Sequence, residues 1–159
     1  MYELAGKIVV KSGATLTIAP GTIIKGQVGS TINATALIVE RGGMIMAEGT
    51  ADLPIIFTTA ADEITNEQVA NGDMASPNLL PSENGLWGGL IILRNAPVSA
   101  SVAEPQIEGL PTTETYGKYG GTVADDNSGV LRYVSIRHGG ANIGVGNEIN
   151  GLTLSLIHI

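Results

Sequence analysis

The sequence predicts an all-β chain wound as a parallel β-solenoid, and three observations predict it. Ile, Val and Thr supply 43 of the 159 residues, whereas Ala, Leu, Glu and Lys nowhere gather into a long stripe of helical period. The apolar segments are three or four residues long, shorter than the usual five or six of a sandwich strand, which disfavours a meander of hairpins. The third observation is a repeat. Ile8 to Thr22, IVVKSGATLTIAPGT, aligns with Leu37 to Thr50, LIVERGGMIMAEGT, at an offset of 29 residues with one gap at Pro20. That period lies in the solenoid range, where each unit buries its apolar face only by stacking on the next.

Each element follows in order. Ile8-Val9-Val10 opens a coil, Gly13 turns it, Leu16-Thr17-Ile18 forms the next side, and Pro20-Gly21 turns into Thr22-Ile23-Ile24. The second coil repeats this with Leu37-Ile38-Val39, Gly42, Met44-Ile45-Met46 and Ile55-Ile56-Phe57. Leu90 to Leu93, Val134-Ser135-Ile136 and Leu152-Thr153-Leu154 continue the stack to about four or five incomplete coils. The inward ladder is expected to contain Ile8, Val10, Leu16, Ile18, Ile24, Leu37, Val39, Ile45, Ile56, Leu90, Ile92, Val134, Ile136, Leu152 and Leu154. Two inserts, approximately 60–85 and 97–128, break the pattern and carry ten of the fifteen acidic residues. Both are expected to leave the same side of the solenoid as solvated excursions.

Composition removes several functional classes. Eight Lys plus Arg against fifteen Asp plus Glu leave a net charge of −7, which argues against a general nucleic-acid binder because a phosphate backbone would be repelled. No apolar run approaches the roughly 18 residues of a membrane-spanning helix, so no membrane insertion is expected. The absence of Cys excludes disulfide frameworks and thiolate metal sites.

The strings GATLTIAPGT, ALIVERGGMIMAEGTADLPIIFTT, GLWGGLIILRNAPV and LRYVSIRHGGANIGVGNEINGLTL resemble the single-stranded right-handed parallel β-helix, pectin-lyase-like repeat proteins exported by Bacteroidetes-type bacteria. The resemblance spans residues 1–159 as one incomplete domain apart from the two inserts. It implies an extracellular or outer-cell-surface location. Met1 begins almost directly on a coil without a signal peptide, and residues 155–159 depart from the family pattern and read as a non-native tail. The chain is therefore read as a fragment of a longer protein.

Few motifs with catalytic chemistry occur in the sequence. HExxH, GxxxxGK[ST], GxSxG and EF-hand patterns are absent. If Val134 and Ile136 face inward, the period of two sets Tyr133, Ser135 and Arg137 outward in one row. Tyr stacks on a pyranose ring and Arg binds hydroxyls or a carboxylate, so this row, with Tyr116 and Tyr119 of the second insert, is the candidate ligand-binding surface. An ordinary exposed strand face explains the same residues. Asp125 and Asp126 are the candidate calcium ligands, although calcium needs six to eight oxygens and two adjacent carboxylates supply few. No other cofactor is expected. His138 is expected to cap a turn or pair with a backbone group, and Trp87 to pack a corner beneath an insert.

Three functions stay open. The leading one is a non-catalytic secreted or cell-surface module serving as scaffold or stalk for adhesion or glycan contact, its partner a polysaccharide or surface glycan. The alternative is part of a polysaccharide lyase or glycoside hydrolase whose active residues lie outside this chain. The third is a pure structural spacer.

Overall fold

The computed structural model describes residues 1–144 and 147–155, so the expected tail lies, beyond Ser155, outside the described residues, as does the Val145-Gly146 pair. The chain opens with β1 (Tyr2–Leu4) and then winds a first coil of β2 (Lys7–Val10), β3 (Thr15–Ile18) and β4 (Ile23–Gly26). The second coil is β5 (Ala36–Val39), β6 (Met44–Glu48) and β7 (Ile55–Thr59). A short helix, α1 (Asn66–Ala70), interrupts the path before the third coil of β8 (Gly89–Ile92), β9 (Gly129–Arg132) and β10 (Val134–Ile136). An antiparallel ribbon, β11 (Asn142–Gly144) and β12 (Asn147–Glu148), precedes β13 (Leu152–Leu154).

Corresponding strands of successive coils pair in parallel to make three faces. Sheet I is β2-β5-β8-β13, sheet II is β3-β6-β9, and sheet III is β1-β4-β7-β10. The chain is an all-β parallel β-helix, and among the described residues three full coils are flanked by one strand at each end. The 29-residue offset is the rung spacing: Ile8 pairs with Leu37, Val10 with Val39 and Leu16 with Ile45. At the next corner the Gly21–Gly49 correspondence fails, because the Gly21 amide donates to the Leu53 carbonyl at 3.0 Å and the second coil takes a longer turn. Gly13 and Gly42 turn the same corner one above the other at φ 79° and 77°, a region that suits a residue without Cβ.

Side chains alternate between an interior ladder and an outer face. Val10, Ile18, Ile24, Leu37, Val39, Ile45, Leu90 and Ile92 pack together inside as expected, joined by Trp87. Ile56 does not belong to them. Its neighbours Ile55 and Phe57 face inward, and Ile56 packs outside against Ile23, Ile64 and Val69. Ile8, Leu152 and Leu154 are exposed because β2 and β13 are the outermost strands of sheet I and have a neighbour on one side only.

The inserts are largely solvated, as expected, but each also lays a few apolar residues over a sheet, and they leave different corners. The first leaves between sheets III and I and lays Ile64 and Val69 over the outer face of sheet III. The second leaves between sheets I and II and places Ile107, Leu110, Tyr116 and Tyr119 against Ile38, Ile91 and Leu93 of sheet I and its edge. The expectation of a shared side is corrected here. Strands such as ALIV and IIFTT are buried at every position, so their outer faces are covered as well as their inner ones.

Candidate functional site

The outer face of sheet III positions two axial rows. Ile23, Ile56 and Ser135 stack in one, since Ile23 pairs with Ile56 and Ile56 with Ser135. Lys25 pairs with Thr58 in the other, and the Arg137 amide donates to the Phe57 carbonyl at 2.9 Å, which extends the ladder and sets Arg137 beside Thr58. The first insert is tied down on this second row by Asp62. Its carboxylate accepts from the Thr58 hydroxyl at 2.7 Å, the Ser76 hydroxyl at 2.8 Å and the Ile64 amide at 3.0 Å, while its carbonyl accepts from Lys25 Nζ. Asp62 is fully buried. Burial pushes its pKa up, but the Thr58, Ser76 and Ile64 hydrogen bonds and the His138 charge outweigh that, and the carboxyl ends below its ordinary value.

His138 closes the neck of the same insert. Its Nδ1 lies 2.6 Å from the Glu83 carbonyl, which only accepts, so Nδ1 carries a hydrogen. Nε2 lies 4.0 Å from the Asp62 carboxylate. The residue is buried and holds φ 55°, so the left-handed turn directs the ring to both ends of the insert.

Arg137 is anchored at its base. Its carbonyl accepts from the Trp87 indole N–H at 2.8 Å, and its Nε donates to the Ser135 hydroxyl at 2.9 Å. No hydrogen bond or ion pair to a described residue engages its two terminal nitrogens. Arg137 lines a cleft of about 480 Å³ between sheet III and the insert, together with Met74, Ser76, Leu79, Pro81 and His138. Burial pushes the guanidinium pKa down from its ordinary value, with the Asp62 charge opposing.

The remaining sequence candidates fall elsewhere. Tyr133 turns the corner between β9 and β10 at φ 47° and is 56% exposed, so it does not extend the row of Ser135 and Arg137. Tyr116 and Tyr119 are half-buried against sheet I, on a different face from Arg137. Burial, and then the neighbouring Glu114, push the Tyr116 phenol pKa up. Asp125 is exposed, while the Asp126 carboxylate lies 3.6 Å from Arg94 Nε and accepts from the Asn95 amide at 3.2 Å and the Ser128 hydroxyl at 3.3 Å. Among the described residues no group of three or more His, Cys, Asp or Glu is placed to hold a metal ion. No described helix is long and apolar enough to cross a membrane.

The stacked coils and the insert-covered faces agree with one comparison: the model of the pectate-lyase-like β-helix domain family matches residues 1–157. The chain belongs to this family. No curated protein and no solved structure matches it. Within this pectate-lyase-like β-helix, the sequence singled out Arg137 and the backbone pairing of His138 but not Asp62 or Ser76. The available signal was the spacing Thr58 to Asp62 at the end of β7, where polar residues follow an apolar strand. Ser76 carried none, because only the folded insert brings it to the carboxylate.

Proposed function

We propose that this β-helix is a non-catalytic module, secreted or on the outer cell surface, that serves as scaffold or stalk for adhesion or glycan contact. One observation carries the reading. The buried acid whose charge acts on Arg137 is Asp62, and its oxygens are consumed by Thr58, Ser76 and Ile64, which suits it to holding the insert rather than to acid–base work on a sugar. Ser135 and Arg137 then offer hydrogen bonds on the outer face, and the exposed Tyr133 offers a stacking surface at the neighbouring corner. Membership of a pectate-lyase-like family supports a second reading, a portion of a polysaccharide lyase or glycoside hydrolase with its active residues outside this chain. A spacer without ligand is the third.

The test is affinity electrophoresis on a glycan panel, with and without calcium, comparing the protein with a Tyr133→Ala/Arg137→Ala double variant. Calcium is varied because Asp125 and Asp126 are its proposed ligands. Retardation lost in the variant is the expected result, and equal retardation removes these residues from the contact surface. No retardation of either protein favours the spacer. Release of unsaturated or reducing sugar from acidic polysaccharides, abolished by Arg137→Ala, would replace the module reading with the enzyme reading.

A further inference from the structure

The cleft between sheet III and the first insert has a chemical character of its own. Its volume, about 480 Å³, falls within the range of small-molecule sites. Its lining includes hydrocarbon and thioether, from Met74, Leu79 and Pro81. It also includes Arg137, whose Nε and backbone are fixed by Ser135, Phe57 and Trp87 while its terminal nitrogens remain open. With Nε held by Ser135 and the terminal nitrogens open to solvent, the guanidinium keeps charge-assisted donors free for an anion entering the cleft. The planar terminal nitrogens of Arg suit the two oxygens of a carboxylate in particular. Asp62 does not fill this role, because no salt bridge joins it to Arg137 and its oxygens already accept from Thr58, Ser76 and Ile64.

We propose that this cleft binds a small amphipathic carboxylate, the carboxylate on the Arg137 guanidinium and a short alkyl or aryl body against Met74, Leu79 and Pro81. The apolar wall selects against acetate-sized anions, which leave it uncovered, and the cation selects against amines of the same shape. Ser76 and His138 are the other polar residues lining the cleft. The site goes beyond glycan contact and stands without it, since its ligands are small acids and its readout involves no polysaccharide.

Trp87 supplies the readout. It is the single Trp of the chain, fully buried, with its indole N–H on the Arg137 carbonyl. Its fluorescence, checked by calorimetry, is followed during titration with hexanoate, 3-phenylpropionate, hexanol, hexylamine and acetate. Saturable binding of the first two, at least about tenfold tighter than the other three, is expected. Arg137→Gln should weaken hexanoate by about tenfold or more and leave hexanol unchanged. Leu79→Glu, on the half-buried wall, places a carboxylate in the cleft and should abolish hexanoate binding with the circular dichroism unaltered; it carries the test if Arg137→Gln does not fold. Hexanol or acetate binding as tightly as hexanoate overturns the proposal. So does unchanged hexanoate affinity in a folded Arg137→Gln or Leu79→Glu protein, or no saturation of the wild-type protein by either acid up to about 10 mM.

Discussion

Asp62 concentrates more structural consequence than any other charged residue described. Its carboxyl pKa lies below the ordinary value in the folded chain, so the folded state binds its proton less readily than the unfolded state does. The stabilisation is therefore fully present above the unfolded pKa of about 3.9 and is lost as pH falls through the lower folded value. Asp62→Asn should lower stability at pH 7 by about 2 kcal/mol, in the range for hydrogen bonds to a charged group. The gap between the two proteins, read from urea midpoints, should shrink as pH falls below about 4. A constant gap from pH 7 to pH 3 would place the effect in packing instead of charge.

The elements respond to two further substitutions. In α1, the Thr65 hydroxyl accepts from the Gln68 amide at 3.2 Å and the Gln68 side chain accepts from the Thr65 amide at 3.0 Å, a reciprocal cap that holds Val69 on Ile23 and Ile56. Thr65→Ala should cost the helix about 1 kcal/mol. Limited proteolysis should then cut within residues 60–88 sooner, with the β-sheet circular dichroism unchanged. In β6, Ile45 is fully buried between Leu16 and Gly129 in sheet II. Ile45→Asp removes about 1.5–3 kcal/mol of apolar burial and sets an unpaired carboxylate in the ladder. No cooperative unfolding transition should remain, and a folded variant with an unchanged spectrum would break the register described here.

At the scale of the whole molecule, the part of the fold legible in the sequence was the part written as a repeat. The pairings Ile8 with Leu37 and Leu16 with Ile45 could be read directly, because corner glycines and apolar triplets recur at one offset. Ile56 could not be placed, since Ile55-Ile56-Phe57 is apolar at every position and a period of two is silent there. The facing direction was settled by the insert that covers it. The same absence of local signal hid the site: Arg137 stood out on its strand, but Asp62, Ser76 and His138 come together only when the insert folds back. Tyr116 and Tyr119 look like contact aromatics in a polar stretch, yet sheet I had apolar side chains to cover and they cover them.

The pairing offsets vary widely along the axis. Leu37 meets Ile8 after 29 residues, Leu90 meets Leu37 after 53, and Gly129 meets Ile45 after 84. Each step still advances one inter-strand spacing, about 4.8 Å. The three steps of sheet III therefore raise the molecule by only about 14 Å. Chain length here goes into girth. The longest segments between paired strands widen the flanks of the coils and add no height of their own.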